Sequence, residues 1–379
     1  MDEEAYVLLL STSKIILERR YILKSSKKIV ICVLLIVVSI ISLILINKNT
    51  NKTFNYKGST IALTVDGNSA TSFPTSGKYN VNVNCNNAKC RWNPKTWKLE
   101  ITKITGTVTC DVSFNSNVSN LTTVVNNKAT RNANGKRYQG KNPNNYIWFN
   151  DELWRIIGNI PVCLTSGCAT TENRVKIIRN DSIGAIKYDE SSSTWMGSNI
   201  QNLLNICYLG KKSSCDSYCY SNATFAKGTC DYSSDGIDAT DFYGKMVEDV
   251  YFNVGAGDST YKTAANYYTQ EIATHTTSTS KIGLMHASDW GYAIEGFTGV
   301  IGNSGYARDS SDKNWFSNAD QWTMSAYSSS RPLRAYDCGF LFGESASEGY
   351  SIRPVLYLKS NVYVVSGTGT KVDPYRIGM

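Results

Sequence analysis

The residues able to do chemistry are few and unevenly placed. Ten cysteines follow residue 60: Cys85, Cys90, Cys110, Cys163, Cys168, Cys207, Cys215, Cys219, Cys230 and Cys338. Four of them are spaced Cys207-x7-Cys215-x3-Cys219-x10-Cys230. Four thiolates can hold a tetrahedral zinc ion. The flanking Ser, Tyr, Asn and Gly residues do not form the short paired knuckles that such sites favour, so the spacing is read as two disulfides bracing an insertion. Close, even-numbered cysteines suit an oxidising compartment. Their connectivity is not legible, beyond the expectation that Cys110 pairs with Cys85 or Cys90.

His275 and His286 are the two histidines. His286 and Asp289 are formally two parts of a Ser-His-Asp relay. Three residues apart on one segment, they are too close in sequence to serve as base and orienter, and no G-x-S-x-G elbow accompanies them. Asp231, Asp235, Asp238 and Asp241 lie in a Gly/Ser loop and offer hard oxygen ligands, but not in the order of an EF-hand. The sequence therefore predicts no catalytic residue, no metal site and no cofactor.

The elements that must position these groups read mostly as strands. Tyr (24) and Gly (28) are plentiful and Pro (7) is scarce, a profile of strands joined by turns. Residues 1–28 read as a cytoplasmic stub. Residues 29–46, IVICVLLIVVSIISLILI, carry no charge and are long enough for a transmembrane helix of roughly 27 Å. Basic residues before it outnumber those just after it, which predicts a single pass with the N-terminus inside and the bulk of the chain outside the cell membrane.

Residues 60–115 hold four alternating segments, Thr60–Val65, Tyr79–Val83, Trp97–Ile101 and Thr107–Val112, and predict a small β-sandwich-like domain with Trp92 and Trp97 in its core. Residues 116–141 read as an Asn-rich linker. Lys128, Arg131, Lys136, Arg137 and Lys141 lie there, and no acid occurs between Asp111 and Asp151. Such a linker can touch anionic envelope polymers. No aromatic-basic module suggests nucleic acid. Residues 142–379 form the large domain. It opens with a hairpin around Asn150-Asp151 and continues with a strand at Arg174–Arg179. Helices are predicted at Ser198–Cys207, Asp241–Phe252 and Asp289–Ile294, and a hairpin tail at 361–377.

The stretch Trp322 to Tyr357 joins these pieces. It runs from a tryptophan through Tyr327-Ser328-Ser329-Ser330 and Gly339-Phe340-Leu341-Phe342-Gly343 to Tyr350-Ser351-Ile352-Arg353-Pro354-Val355. That order resembles the C-terminal third of bacterial C-type-lectin-like proteins, in particular the major paralogous domains and the variable proteins of diversity-generating retroelements. Both belong with the formylglycine-generating-enzyme branch of that fold. Lys281–Ala293 is similar to the "R-L-P-T-x-x-E-W-x-x-A" segment of those domains, with Met285-His286 in place of Pro-Thr and Asp289 in place of Glu.

The resemblance implies an α+β fold overall, with a C-type-lectin-like domain behind the transmembrane helix and the small all-β domain. It also implies an exposed ligand-holding face. Here that face comprises Trp322, Tyr327, Ser328, Ser329, Ser330, Arg331, Arg334, Tyr336, Asp337, Glu344 and Tyr350. Tyr, Ser and Arg are the residue types a recognition surface favours. The paired cysteines of the formylglycine-generating enzymes are not matched, since Cys338 stands alone in that region. The expectation is a membrane-anchored surface binding protein or adhesin for an extracellular protein or glycan. An envelope enzyme of the formylglycine-generating-enzyme-like branch and a purely structural surface protein are the alternatives.

Overall fold

The computed structural model describes residues 54–56, 59–74, 79–115, 118–215, 217–219, 224–225, 229–273, 277–302, 312–317 and 319–379. The apolar run 29–46 and His275 lie outside them. Among the described residues no helix is long and apolar enough to cross a membrane. The chain divides after Val118 into two compact units.

The first unit contains β1 (Phe54–Tyr56), β2 (Ser59–Val65), β3 (Asn68–Ser69), β4 (Asn80–Asn86), β5 (Lys89–Asn93), β6 (Lys98–Thr102) and β7 (Thr109–Asn115). Its sheet runs β1-β2-β7-β4, with β3 on β2 and β5-β6 as a separate hairpin. β2 and β7 are parallel, while β4 and β7 are antiparallel. Strand β7 alternates strictly, so Cys110, Val112 and Phe114 share the buried face. Trp92 from β5 meets Phe114 edge-on at 4.8 Å and Trp97 at 5.2 Å. The hairpin therefore lies on the sheet through its tryptophans.

The second unit contains β8 (Ser119–Asn120), α1 (Leu121–Lys128), β9 (Arg131–Asn132), β10 (Lys136–Arg137), β11 (Tyr146–Phe149), β12 (Glu152–Cys163), β13 (Thr171–Arg179) and β14 (Gly184–Lys187). It continues with α2 (Asn199–Asn202), β15 (Thr224–Phe225), β16 (Val250–Asn253), β17 (Lys262–Thr263), α3 (Ala264–Ala273), β18 (Thr277–Ser280), α4 (Ala287–Tyr292) and β19 (Val300–Ile301). It ends with β20 (Gln321–Ser328), β21 (Arg331–Ala335), β22 (Leu341–Gly343), β23 (Gly349–Ile352), β24 (Val355–Leu358), β25 (Tyr363–Ser366) and β26 (Tyr375–Gly378).

Two sheets carry this unit. The larger has the path β18-β16-β12-β11-β26-β25-β8, with β13 pairing both β12 and β24. The smaller is β15-β14-β23-β20-β21-β22. The C-terminal strand β26 runs parallel to β11, and β25 pairs β8. The last residues of the unit thus close its sheet against the first.

The α+β expectation with a membrane helix is corrected: strand outweighs helix, 40% to 14%. The helices that form are short. Asn199–Asn202 passes directly into a wide turn over Leu203–Tyr208. The helix expected at Asp241–Phe252 does not form. Asp241 caps Gly244 N at 2.8 Å, a single tight turn covers Gly244–Met246, and Val250–Asn253 joins β18 as a strand. A glycine inside a segment rich in Val, Tyr and Phe favours that outcome over helix.

The 116–141 stretch is also more than a spacer. Asn120 accepts from Thr122 N as the N-cap of α1, and Leu121 and Val125 are buried. Arg137 is only 2% exposed, which removes it from any surface available to an anionic polymer. Arg131 spends its guanidinium on the carbonyls of Tyr292 and Ile294, each at 3.2 Å.

Disulfides join Cys163 to Cys168, Cys207 to Cys215 and Cys219 to Cys230. The four-cysteine cluster is therefore two staples. In the first unit Cys85 lies within bonding reach of both Cys90 and Cys110.

Candidate ligand-binding face

The face expected at 322–350 is built on β20, β21, β22 and β23. β20 and β21 form a hairpin closed by Ser329-Ser330, with Ser328 opposite Arg331. The turn is held from outside. Ser193 donates its N–H to Ser329 O at 3.1 Å and its hydroxyl to Ser328 O. On the other flank Ser259 N donates to Tyr327 O at 2.7 Å. Gly257 packs so close to Tyr327 that a Cβ there would strike its backbone.

A row of stacked groups runs from the surface inward. Phe340 stacks on Tyr336 at 4.7 Å, nearly parallel at 11°. The Arg334 guanidinium lies 4.0 Å from the Tyr336 ring centroid and 4.1 Å from that of Tyr350. Tyr350 meets Trp322 edge-on at 5.0 Å, and Trp322 meets Tyr188 at 5.6 Å. Arg334 is only 6% exposed and is held by Asp320 at 3.0 Å and Glu344 at 3.5 Å. Cation–π contact on both ring faces, with two carboxylates at the rim, fixes the guanidinium in one plane.

This geometry sorts the expected residues. Trp322 is 1% exposed and donates its indole N–H to Ile186 O at 2.9 Å. Trp322 is thus a core residue, and Arg334 is a buried support. Ser329, Ser330, Arg331 and Asp337 are exposed, and Tyr327, Ser328, Tyr336, Glu344 and Tyr350 are half-buried. Tyr327 stacks on Tyr261 at 4.8 Å. Five steps at about 3.3 Å put Arg331 and Tyr336 roughly 17 Å apart along β21. One end offers hydroxyls and a cation, with Glu344 opposite Pro332 beside them, while the other offers aromatics and the carboxylate of Asp337.

Sequence reasoning missed Tyr261, Asp320 and Phe340. Tyr261 and Asp320 come from outside the 322–350 stretch, and only Phe340, within it and flanked by glycine, carried a local signal.

His286 and Asp289 do come together, in a second place. Lys176 Nζ lies 2.9 Å from His286 Nδ1 and 2.5 Å from Asp289 Oδ2. Arg137 Nη1 reaches Asp289 Oδ1 at 2.6 Å. His286 Nε2 is 2.9 Å from Asn253 O. The ring therefore donates from Nε2 and accepts the Lys176 ammonium at Nδ1. Burial pushes the Asp289 carboxyl up, but Lys176, His286 and Arg137 outweigh burial and hold it well below the usual carboxylate range. Burial lowers the Lys176 ammonium, against the pull of Asp289.

Beside this nest Glu271 accepts from the Ser325 hydroxyl at 2.7 Å, from Ser288 N at 3.1 Å and from the Ser288 hydroxyl at 2.5 Å. Both imidazole nitrogens are committed, and the nearest hydroxyl points to Glu271. No serine relay is assembled. The nest joins β10, β13 and α4. Lys176 and Arg137 carried little local signal, because each meets a partner more than a hundred residues away.

The aspartates of 231–241 act locally. Asp231 caps Ser233, Asp238 caps Thr240 and Asp241 caps Gly244, each with a 2.8 Å bond from a backbone N–H. Among the described residues they do not converge as a cation site.

No family model, no curated protein and no solved structure matches this chain.

Proposed function

We propose that this protein is a non-enzymatic surface binding protein, an adhesin in the broad sense, that recognises an extracellular protein or glycan through the 322–350 face. The observation that carries this reading is the Arg334 sandwich. A buried guanidinium held by Asp320, Glu344, Tyr336 and Tyr350 lies beside half-buried Tyr side chains and exposed Asp337, on the same hairpin as exposed Ser329, Ser330 and Arg331. Preorganised support below adaptable polar contacts is what a recognition surface requires.

The resemblance of the 322–357 stretch to ligand-displaying C-type-lectin-like loops points the same way. The cysteine pairs support a location outside the cytoplasm. Binding of the full chain to a glycan array and to a panel of extracellular matrix proteins tests the proposal. Arg331→Ala combined with Tyr336→Ala should abolish any specific signal while leaving the fold intact. A ligand that binds both chains equally, or the absence of any ligand on either panel, would count against it.

A further inference from the structure

We infer that Cys85, Cys90 and Cys110 form a thiol–disulfide exchange site in the first unit, where a half-buried and a buried cysteine compete for one sulfur. Cys85 and Cys110 are direct partners in the β4–β7 register, with Cα atoms 4.0 Å apart. Cys90 reaches the same place from β5 after the tight turn at Asn87, its Cα 6.1 Å from that of Cys85. The Cys90 and Cys110 sulfurs are 3.7 Å apart, and all three sulfurs lie within 4.8 Å of one another. A disulfide uses two of them. The third is left in contact with the bond.

The exchange balances without an oxidant. The Cys90 thiolate attacks Cys85 Sγ of the Cys85–Cys110 bond. A Cys85–Cys90 bond forms, the Cys85–Cys110 bond breaks, and Cys110 leaves as a thiolate that takes up the proton Cys90 released. One disulfide and one thiol are present before and after.

The two isomers differ in what they show to solvent. Cys110 is fully buried beside Val112 and Phe114. Cys90 is half-buried, with exposed Lys89 and Arg91 on either side. The Cys85–Cys110 isomer therefore leaves a thiol that solvent can reach, while Lys89 and Arg91 leave β5 on the opposite face and Arg91 is paired with Glu100. That thiol can take an exposed disulfide, small or protein-borne, as a mixed-disulfide partner. The Cys85–Cys90 isomer hides the thiol in the core. This inference stands apart from the binding face, because it uses only the first unit.

The test is disulfide mapping of the full folded chain. N-ethylmaleimide is added before and after incubation with oxidised glutathione at mildly alkaline pH. The protein is then denatured in acid and digested without reduction; cleavage at Lys89 and Arg91 separates the three cysteines. The expected result is two isomers, with glutathione captured on Cys90. Cys90→Ser should retain only Cys85–Cys110 and lose the label and the glutathione adduct in this unit. Cys110→Ser should form Cys85–Cys90 fully.

A single isomer under all conditions would overturn the inference. So would Cys85 and Cys90 both remaining alkylatable in Cys110→Ser, a stoichiometric zinc ion protecting all three thiols, or a bond from Cys90 to Cys338.

Discussion

The second unit builds two charged sites from similar parts and finishes them differently. Around Asp289, two cations and an imidazole surround one carboxylate, and nearly every polar atom is spent inside the protein. Around Arg334, two carboxylates and two tyrosine rings surround one cation, and the outer ring of the row, Tyr336 with Phe340, remains partly open. A network whose polar atoms are mostly paired with one another can fix how strands and helices meet. A network with one open side can also offer its outer members to a partner. The first lines a small cavity, with Arg137, Glu271, His286 and Asp289 on its wall, and the second reaches the surface at Tyr336 and Phe340.

The comparison breaks most sharply at Asp289. Removing this carboxylate leaves Arg137 and Lys176 buried without their counter-ion. Asp289→Ala should cost about 3–5 kcal/mol in urea unfolding; a loss well under that range would mean the nest is not the brace described. The same carboxylate sets a pH dependence. Its folded pKa lies below its unfolded value, so its contribution is complete above about pH 4 and is lost as pH falls through the folded value. Wild type should lose stability on acidification below about pH 4 more steeply than Asp289→Asn. Parallel acid limbs would show that the carboxylate carries no such linkage.

Trp322 lies at the inner end of the other network. Trp322→Phe strands the Ile186 carbonyl and should cost about 1–3 kcal/mol, with ligand binding altered only through the fold. Arg334→Ala should cost about 1–2 kcal/mol and loosen the Tyr336 and Tyr350 rings. Its distinguishing readout is weaker binding at a temperature where the variant is still folded. Arg331→Ala should leave stability within about 0.5 kcal/mol of wild type. Binding should still fall at least roughly tenfold, about 1.4 kcal/mol. If Arg331→Ala unfolds the protein while Arg334→Ala does not, the assignment of support and rim is reversed.

Local patterns were legible where local chemistry decides the outcome. The Asn150-Asp151 turn is one case. Both residues adopt positive φ, 54° and 59°, and the flanking strands pair from Phe149 and Glu152 outward. The tail hairpin is another. The helix at Leu121–Lys128 was not legible, because only Leu121, Val124 and Val125 are apolar and Thr, Asn and Lys fill the rest. Arg137 read as a linker charge for a similar reason: its fate depends on Asp289, 152 residues away. Within the face, the Tyr and Ser content announced a surface. It could not reveal that Trp322 and Arg334 sit beneath that surface, since Asp320, Tyr188 and Ile186 lie outside the 322–350 stretch.

The pairing of β25 and β26 with β8 and β11 also bears on synthesis. A ribosome delivers β8 and β11 long before their neighbours exist. Until Tyr375 and Arg376 have emerged, the strand Tyr146–Phe149 has an open edge, and Ser119–Asn120 waits for Tyr363 and Val364. The nascent chain thus carries an open edge at β11 through most of the translation of this unit, and β26 is the latch that closes it.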